Sequence, residues 1–289
     1  MSRYPLISIV LPTYNGSRYL NQAIQSCLRQ TYARLELIVV DDASSGDTTA
    51  QVEHYRAADI RVRLVRHKIN RGLPAALNTG FSLANGEYYT WVSDDNYFHP
   101  EALSEMLAVL EFNRTVDVVY SDYSNIDEGG RFLEHVMIGE PEMLLEGNVV
   151  GPSFLYKREV QDRTGDYSES LFLAEDYDFW LRASQWFHFL PLHKALYFYR
   201  RHSESLTIRE RERVKTATEM AILRNLPHMT WVSPAQMATV YIRAAERAQA
   251  RQDWKAVVSY LFQAVRHSPS HFSRKALRLG MRTMARNLR

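Results

Sequence analysis

Two hydrophobic periods alternate along the first 120 residues of the chain. Residues 6–11 and 35–40 are short, continuous apolar runs rich in Ile and Val, the pattern of strands buried on both faces. Between them, residues 18–30 place Tyr19, Leu20, Ala23, Ile24, Cys27 and Leu28 on one helical stripe. The segment Ser44-Ser45-Gly46-Asp47 breaks the chain, and a second helix is predicted over 48–58. Strands follow at 62–65, 88–92 and 116–120. Helices are predicted at 73–84, closed by Asn85-Gly86 as a C-cap, and at 101–112, after His99-Pro100. Strand and helix in strict alternation imply parallel pairing with right-handed crossovers.

From 129 to 201 the pattern loosens into short strands and one acidic-to-apolar helix over 176–186. Beyond 205 nearly everything reads as helix: 208–226, 234–251, 254–267 and 272–287. The expected organisation is an α/β domain over 1–207 and an all-α region over 208–289.

Composition changes this picture little and charge changes it more. The 289 residues suffice for a real core. The single Cys27 excludes a disulfide framework and a Cys-rich metal site, and fits a reducing compartment. No run reaches the roughly 18–20 apolar residues that span a bilayer, and no signal-peptide pattern is present. A cytoplasmic protein is therefore expected. The net charge of +2 hides an asymmetry. From Arg266 to Arg289 there are seven Lys and Arg and no acid, so the preceding body is net negative. Such a tail either contacts phosphate-bearing surfaces or is simply a solvated last helix.

Candidate chemistry lies where strands end in acids. The run Leu37-Ile38-Val39-Val40 stops at Asp41-Asp42, and Tyr89-Thr90-Trp91-Val92 stops at Ser93-Asp94-Asp95-Asn96. If those strands were neighbours, four carboxylates would crowd one sheet edge, which needs a cation or hydrogen-bond donors. Hard oxygen ligands of this kind suit Mg²⁺ or Mn²⁺. The bland alternative is that acids at strand ends start loops and cap helices. There is neither a GxGxxG after the first strand nor a GxxxxGK[ST] loop, so dinucleotide and ATP cradles are unsupported.

The segments ISIVLPTYNGSRYL, LELIVVDDASSGDT, NRGLPAALNTGF, YYTWVSDDNYFHPEAL, GNVVGPSFLYKREV, ESLFLAEDYDFWLRAS and YFYRRHSESLT, in that order, resemble the family 2 glycosyltransferases. The resemblance covers roughly residues 5–207. It implies a GT-A fold, Rossmann-like with a mainly parallel central sheet, and inverting transfer from a nucleotide-sugar. It places Pro12, Thr13, Tyr14 and Asn15 at the nucleotide base and ribose. Asp42 would accept the N3–H of uracil or thymine, which argues for a UDP- or dTDP-sugar. Asp94 is expected at the ribose and Asp95 on a Mg²⁺ or Mn²⁺ ion. Many members carry Asp where this chain has Asn96, which puts the ligand count in question. His202 would complete the metal site or hydrogen-bond the phosphate, and Arg71 is a weaker nucleotide contact.

Glu175 and Asp176 match the family's Glu-Asp motif at a helix start, with Asp176 as general base. Burial beside Phe179 and Trp180 would raise the Asp176 pKa and a helix N-terminus would lower it; the sequence leaves this open. Glu175, Trp180, Arg200 and Arg201 are expected around the acceptor and diphosphate. Without a QxxRW motif or a membrane helix bundle, transfer of one sugar is expected rather than processive synthesis.

The helical region resembles one tetratricopeptide-type hairpin, docked on the catalytic domain or on a second protomer of a homodimer. Its last helix, 272–289, would either contact anionic lipid at the inner membrane face or pack with its arginines outward. The expected acceptor is a glycan or lipid-linked hydroxyl, with no nucleic-acid partner. Two rivals are a sugar nucleotidyltransferase, for which Gly16-Ser17-Arg18 is thin support, and a non-catalytic nucleotide-binding module with a helical adaptor tail.

Overall fold

A computed structural model of the protein describes residues 4–272. The expected basic helix at the C-terminus lies almost wholly outside them. Contacts divide the chain into two compact units, 1–218 and 219–289.

The first unit opens with β1 (Ile7–Thr13), α1 (Ser17–Leu28), β2 (Leu35–Asp41), α2 (Thr48–Ala58), β3 (Val62–Arg66), α3 (Leu73–Ser82) and β4 (Tyr88–Trp91). It continues with β5 (Tyr97–Phe98), α4 (Ala102–Phe112), β6 (Val118–Ser121), β7 (Tyr123–Ile126) and β8 (Phe132–Val136). Then come β9 (Phe154–Lys157), α5 (Arg158–Thr164), α6 (Glu175–Ala183), β10 (Phe189–Leu192), β11 (Tyr197–Arg200) and α7 (Leu206–Arg209). A helix α8 (Arg211–Asn225) contains the break between the units, which falls beyond the boundary expected at 207.

The main sheet has seven strands in the order β10-β6-β9-β4-β1-β2-β3. Every residue of β1, β2, β4 and β6 is buried, while the edge strands β3 and β10 are largely half-exposed. That contrast explains the unbroken apolar runs of the inner strands: helices cover both of their faces. Pairing is parallel along β4-β1-β2-β3 and between β6 and β10. The exception is β9, which runs antiparallel between β4 and β6. This insertion leaves no periodicity signal in four residues.

The placement of β1 between β2 and β4 removes the expected crowding of four carboxylates, because the two acidic strand ends are not neighbours. Glycine sets two close approaches. A β-carbon on Gly80 of α3 would sit 2.4 Å from Val10 Cγ1, so α3 lies tightly on β1. The C-cap expected at Asn85-Gly86 is not formed, because the helix ends at Ser82. Gly86 instead lets the chain pass Ser8, whose backbone nitrogen a β-carbon would meet at 2.7 Å.

A second sheet, in the order β5-β11-β7-β8, carries β11 alongside the start of the segment after β4. Its role is positional: it delivers residues 200–202 to the end of β4.

In the second unit, α9 (Pro234–Ala250) and α10 (Trp254–His267) form a helical hairpin. Ser233 and Gln236 make a reciprocal capping box at the head of α9, and Asp253 caps α10. Buried Ala238, Ala244, Ala245 and Ala248 make α9 narrow. Glu219 answers Arg251 at 3.1 Å. Among the described residues, no helix is long and apolar enough to cross a membrane.

Candidate active site

The expected nucleotide turn follows β1. Thr13 is buried and its Oγ1 donates to Asp94 Oδ2 at 2.6 Å. Tyr14 projects outward with 54% of its surface exposed, available for stacking. Asn15 adopts a left-handed backbone, φ 58°, a conformation asparagine tolerates better than most residues. Its backbone N–H donates to Ser44 Oγ at 2.9 Å, and its Oδ1 accepts from Ser45 N at 2.8 Å. The turn after β1 is thus sewn to the loop after β2.

The two acids ending β2 are internal ties. Asp41 accepts from Ser44 N at 2.8 Å and Thr49 Oγ1 at 2.6 Å. Burial pushes its pKa up, but these bonds and the Arg66 charge outweigh that and leave it lowered. Asp42 accepts from His67 Nδ1 at 2.6 Å, Arg71 N at 2.9 Å and Gly72 N at 2.7 Å. The carboxylate expected to read a pyrimidine therefore already organises residues 67–72. Arg71 enters the site region through its backbone; its side chain lies 3.5 Å from Glu169.

At the end of β4, Asp94 is pushed up to about 7, first by desolvation and then by the charge of Asp95. Gly16 explains how Asp94 fits: a β-carbon there would lie 1.7 Å from Asp94 Oδ2. Gly16 therefore makes room for a carboxylate.

Asp95 Oδ2 lies 3.0 Å from His202 Nε2. Its Oδ1 is buried and has no partner among the described residues. An orphaned buried carboxylate oxygen beside an imidazole fits a hard divalent cation whose remaining ligands come from phosphate and water. Among the described residues, no group of three or more His, Cys, Asp or Glu could hold a metal alone. Asn96 is buried, and its Oδ1 accepts from Arg200 N at 2.7 Å. It fastens β11 to the acidic turn.

Arg200 has a different task from the one expected. It is 2% exposed, and its guanidinium donates to the carbonyls of Asp95, Asp127 and Glu128 and to Gln22 Oε1. Its Cζ stands 4.2 Å from the Tyr19 ring centroid. It braces the acidic turn from behind, with a donor from each of its three nitrogens engaged. Arg201 is exposed and pairs with Glu134 at 3.2 Å. Trp180 is likewise not an acceptor contact. It is fully buried against Phe154, Tyr156, Phe179 and Phe189, because it lies on the core face of α6.

Glu175 and Asp176 begin α6. Burial raises both pKa values, with the Asp176 charge adding to the shift at Glu175. At Asp176 desolvation outweighs the hydrogen bonds from the Tyr177 and Asp176 backbone and from Asn148. Asp176 Oδ1 accepts from Tyr177 N at 2.7 Å and its Oδ2 from Asn148 Nδ2 at 2.8 Å. Tyr199, present in the YFYRRHSESLT segment but without an expected role, has its hydroxyl 3.2 Å from Thr207 Oγ1. Its phenol is raised by burial, with the charges of Asp95 and Asp176 adding to the shift.

These acids, at the ends of β4 and the start of α6, fall within or beside a longer match. Residues 8–176 match the family model of Glycosyl transferase family 2. The chain belongs to that family. Within it, an uncharacterized glycosyltransferase of Rickettsia bellii is 32% identical over 226 residues, which cover 72% of this chain and 32% of that protein. The chondroitin synthase of Escherichia coli is 29% identical over 213 residues, covering 73% of this chain and 31% of its own. This family 2 chain therefore spans about a third of the length of those relatives. Among solved structures, residues 1–349 of S. aureus TarS align over 92% of this chain and 82% of theirs, at TM-score 0.69 and 19% identity. The mannosyltransferase PcManGT of Pyrobaculum calidifontis, in complex with GDP-Man and Mn²⁺, aligns over 91% and 87% at TM-score 0.62 and 18% identity. The shared fold is GT-A, as the sequence resemblance implied.

Proposed function

We propose that this family 2 chain transfers one sugar, with inversion, from a UDP- or dTDP-sugar to a hydroxyl of a glycan or lipid-linked acceptor. The observation that carries the reading is the buried Asp95 Oδ1, without a partner among the described residues, on a carboxylate whose Oδ2 lies 3.0 Å from His202 Nε2. That arrangement suits a cation on the diphosphate, and Asp176, opening α6 with one donor on each oxygen, suits a base. S. aureus TarS has been solved with UDP and with UDP-GlcNAc, which supports a nucleotide-sugar donor here.

The donor's base would meet the exposed Tyr14 ring, and its ribose would meet Asp94. Asp95 and His202 would hold a Mg²⁺ or Mn²⁺ ion, which supplies Lewis-acid stabilisation to the departing diphosphate. Asp176 takes the proton of the acceptor hydroxyl as its oxygen attacks the anomeric carbon. The bond from that carbon to the diphosphate oxygen breaks, and its electron pair leaves with the diphosphate. The raised Asp176 pKa makes it a stronger base than an exposed aspartate.

The test is Asp176→Asn in a UDP- and dTDP-release assay over a donor panel. Turnover should fall at least about a hundredfold while UDP binding is kept. Undiminished turnover would overturn the assignment.

A further inference from the structure

We propose that Asn148 is a positioning residue for the catalytic base, holding the Asp176 carboxylate ionised and aimed at the acceptor hydroxyl. The inference rests on Asp176 being that base.

Asn148 Nδ2 stands 2.8 Å from Asp176 Oδ2, across 28 residues of sequence. An ionised carboxylate has no proton to give, so the amide must present its nitrogen, and this contact favours the charged form. The backbone N–H of Tyr177 holds the other oxygen at 2.7 Å. One donor on each oxygen fixes the carboxylate plane and leaves lone pairs on both oxygens for an incoming proton. Burial works the other way, raising the Asp176 pKa, while the backbone N–H groups of Tyr177 and Asp176 and the Asn148 amide moderate it. Glu175, Tyr167 and Tyr199 are the ionisable groups that feel the same carboxylate. The Tyr177 bond comes with the helix. The Asn148 bond is the one a side chain supplies.

Residues 138–148 reach the base on a braced path. Ile138 N donates to the buried Asp122 Oδ1 at 2.9 Å, and Tyr120 OH donates to Gly139 O at 2.7 Å. Further on, the buried Tyr177 OH donates to Leu144 O at 2.5 Å. Leu144 and Leu145 are buried, as is Val150 just beyond the amide. Tyr177 therefore ties this segment to α6 one residue after the base, and Asn148 closes the same junction from the other side. An exposed asparagine on a freely moving loop would lose side-chain entropy on making this bond; bracing both flanks lowers that loss.

The test follows the ¹³Cγ shift of Asp176 in the full chain, assigned by its loss in Asp176→Asn. Removing a donor to the charged form in Asn148→Ala should move the titration midpoint up by about half to one pH unit. Asn148→Gln, which keeps the amide on a longer stem, should recover part of that shift. Asn148→Asp keeps the shape but sets a like charge against the base, and should move the midpoint further than alanine does. A midpoint unmoved in both Asn148→Ala and Asn148→Asp overturns the proposal and leaves the base assignment standing. Conversely, an Asp176→Asn variant that keeps UDP release removes the catalytic meaning of the contact even if the midpoint shifts. With both assignments right, the acid limb of kcat/KM follows the NMR midpoint variant by variant, with donor KM unchanged.

Discussion

Gly16 and Asp94 occupy nearly the same space: a β-carbon on the glycine would lie 1.7 Å from the carboxylate oxygen that Thr13 holds. The backbone at Gly16 has φ −81°, which any residue adopts. The glycine is therefore required by the carboxylate beside it, not by the turn. Gly16→Ala should displace Asp94 from Thr13 while leaving the core intact. Calorimetric titration with UDP should show affinity weaker by about tenfold, and the melting temperature should change by only a few degrees.

The Asp95–His202 pair predicts how nucleotide binding depends on metal. Asp95→Asn replaces the buried, unpartnered oxygen donor by a poorer ligand. UDP binding measured with and without Mn²⁺ should lose its metal dependence in that variant. His202→Ala, which leaves Asp95 in place, should weaken the Mn²⁺ effect by roughly ten- to a hundredfold without abolishing it.

Glu175 makes stability depend on pH. Its pKa is raised above the ordinary 4.5 by burial and then by Asp176. The folded chain therefore holds this proton more tightly than the unfolded chain. That contribution is fully present below pH 4.5 and is lost as pH rises toward and through the raised folded value. Denaturant melts at pH 6 and pH 8 should show lower stability at the higher pH. Glu175→Gln, which carries no charge, should flatten that slope.

Arg200 and Arg201 separate structure from binding. Arg200 donates to three backbone carbonyls and Gln22, whereas Arg201 is exposed beside Glu134. Arg200→Lys, unable to reproduce the planar fork, should destabilise the chain by about 3 kcal/mol. Arg201→Ala should fall within about 0.5 kcal/mol of the parent. Urea denaturation of the two variants checks both.

Much of this protein is local and therefore legible in order along the chain. The period-2 and period-3.6 patterns depend only on near neighbours, so β1, β2, α1, α2 and α10 emerge at close to their observed limits. Acids that end an apolar strand or open a helix stand out for the same reason, which is why Asp42, Asp94, Asp95 and Asp176 are recognisable in the amino-acid sequence alone. Their tasks are not local. Whether Asp42 faces a ligand or the amides of 71 and 72, and whether Arg200 reaches a diphosphate or three carbonyls, depends on partners brought near only by packing. Asn96 and Asn148 look ordinary in sequence because each acts on a residue from a different element. Side-chain chemistry and spacing along the chain determined which acids could act. The order of strands in the sheet, which sets β1 between the acidic strand ends and threads β9 between β4 and β6, decided which donors each acid meets. Hydrogen bonds and desolvation act over a few ångströms of space, and sequence distance measures none of them.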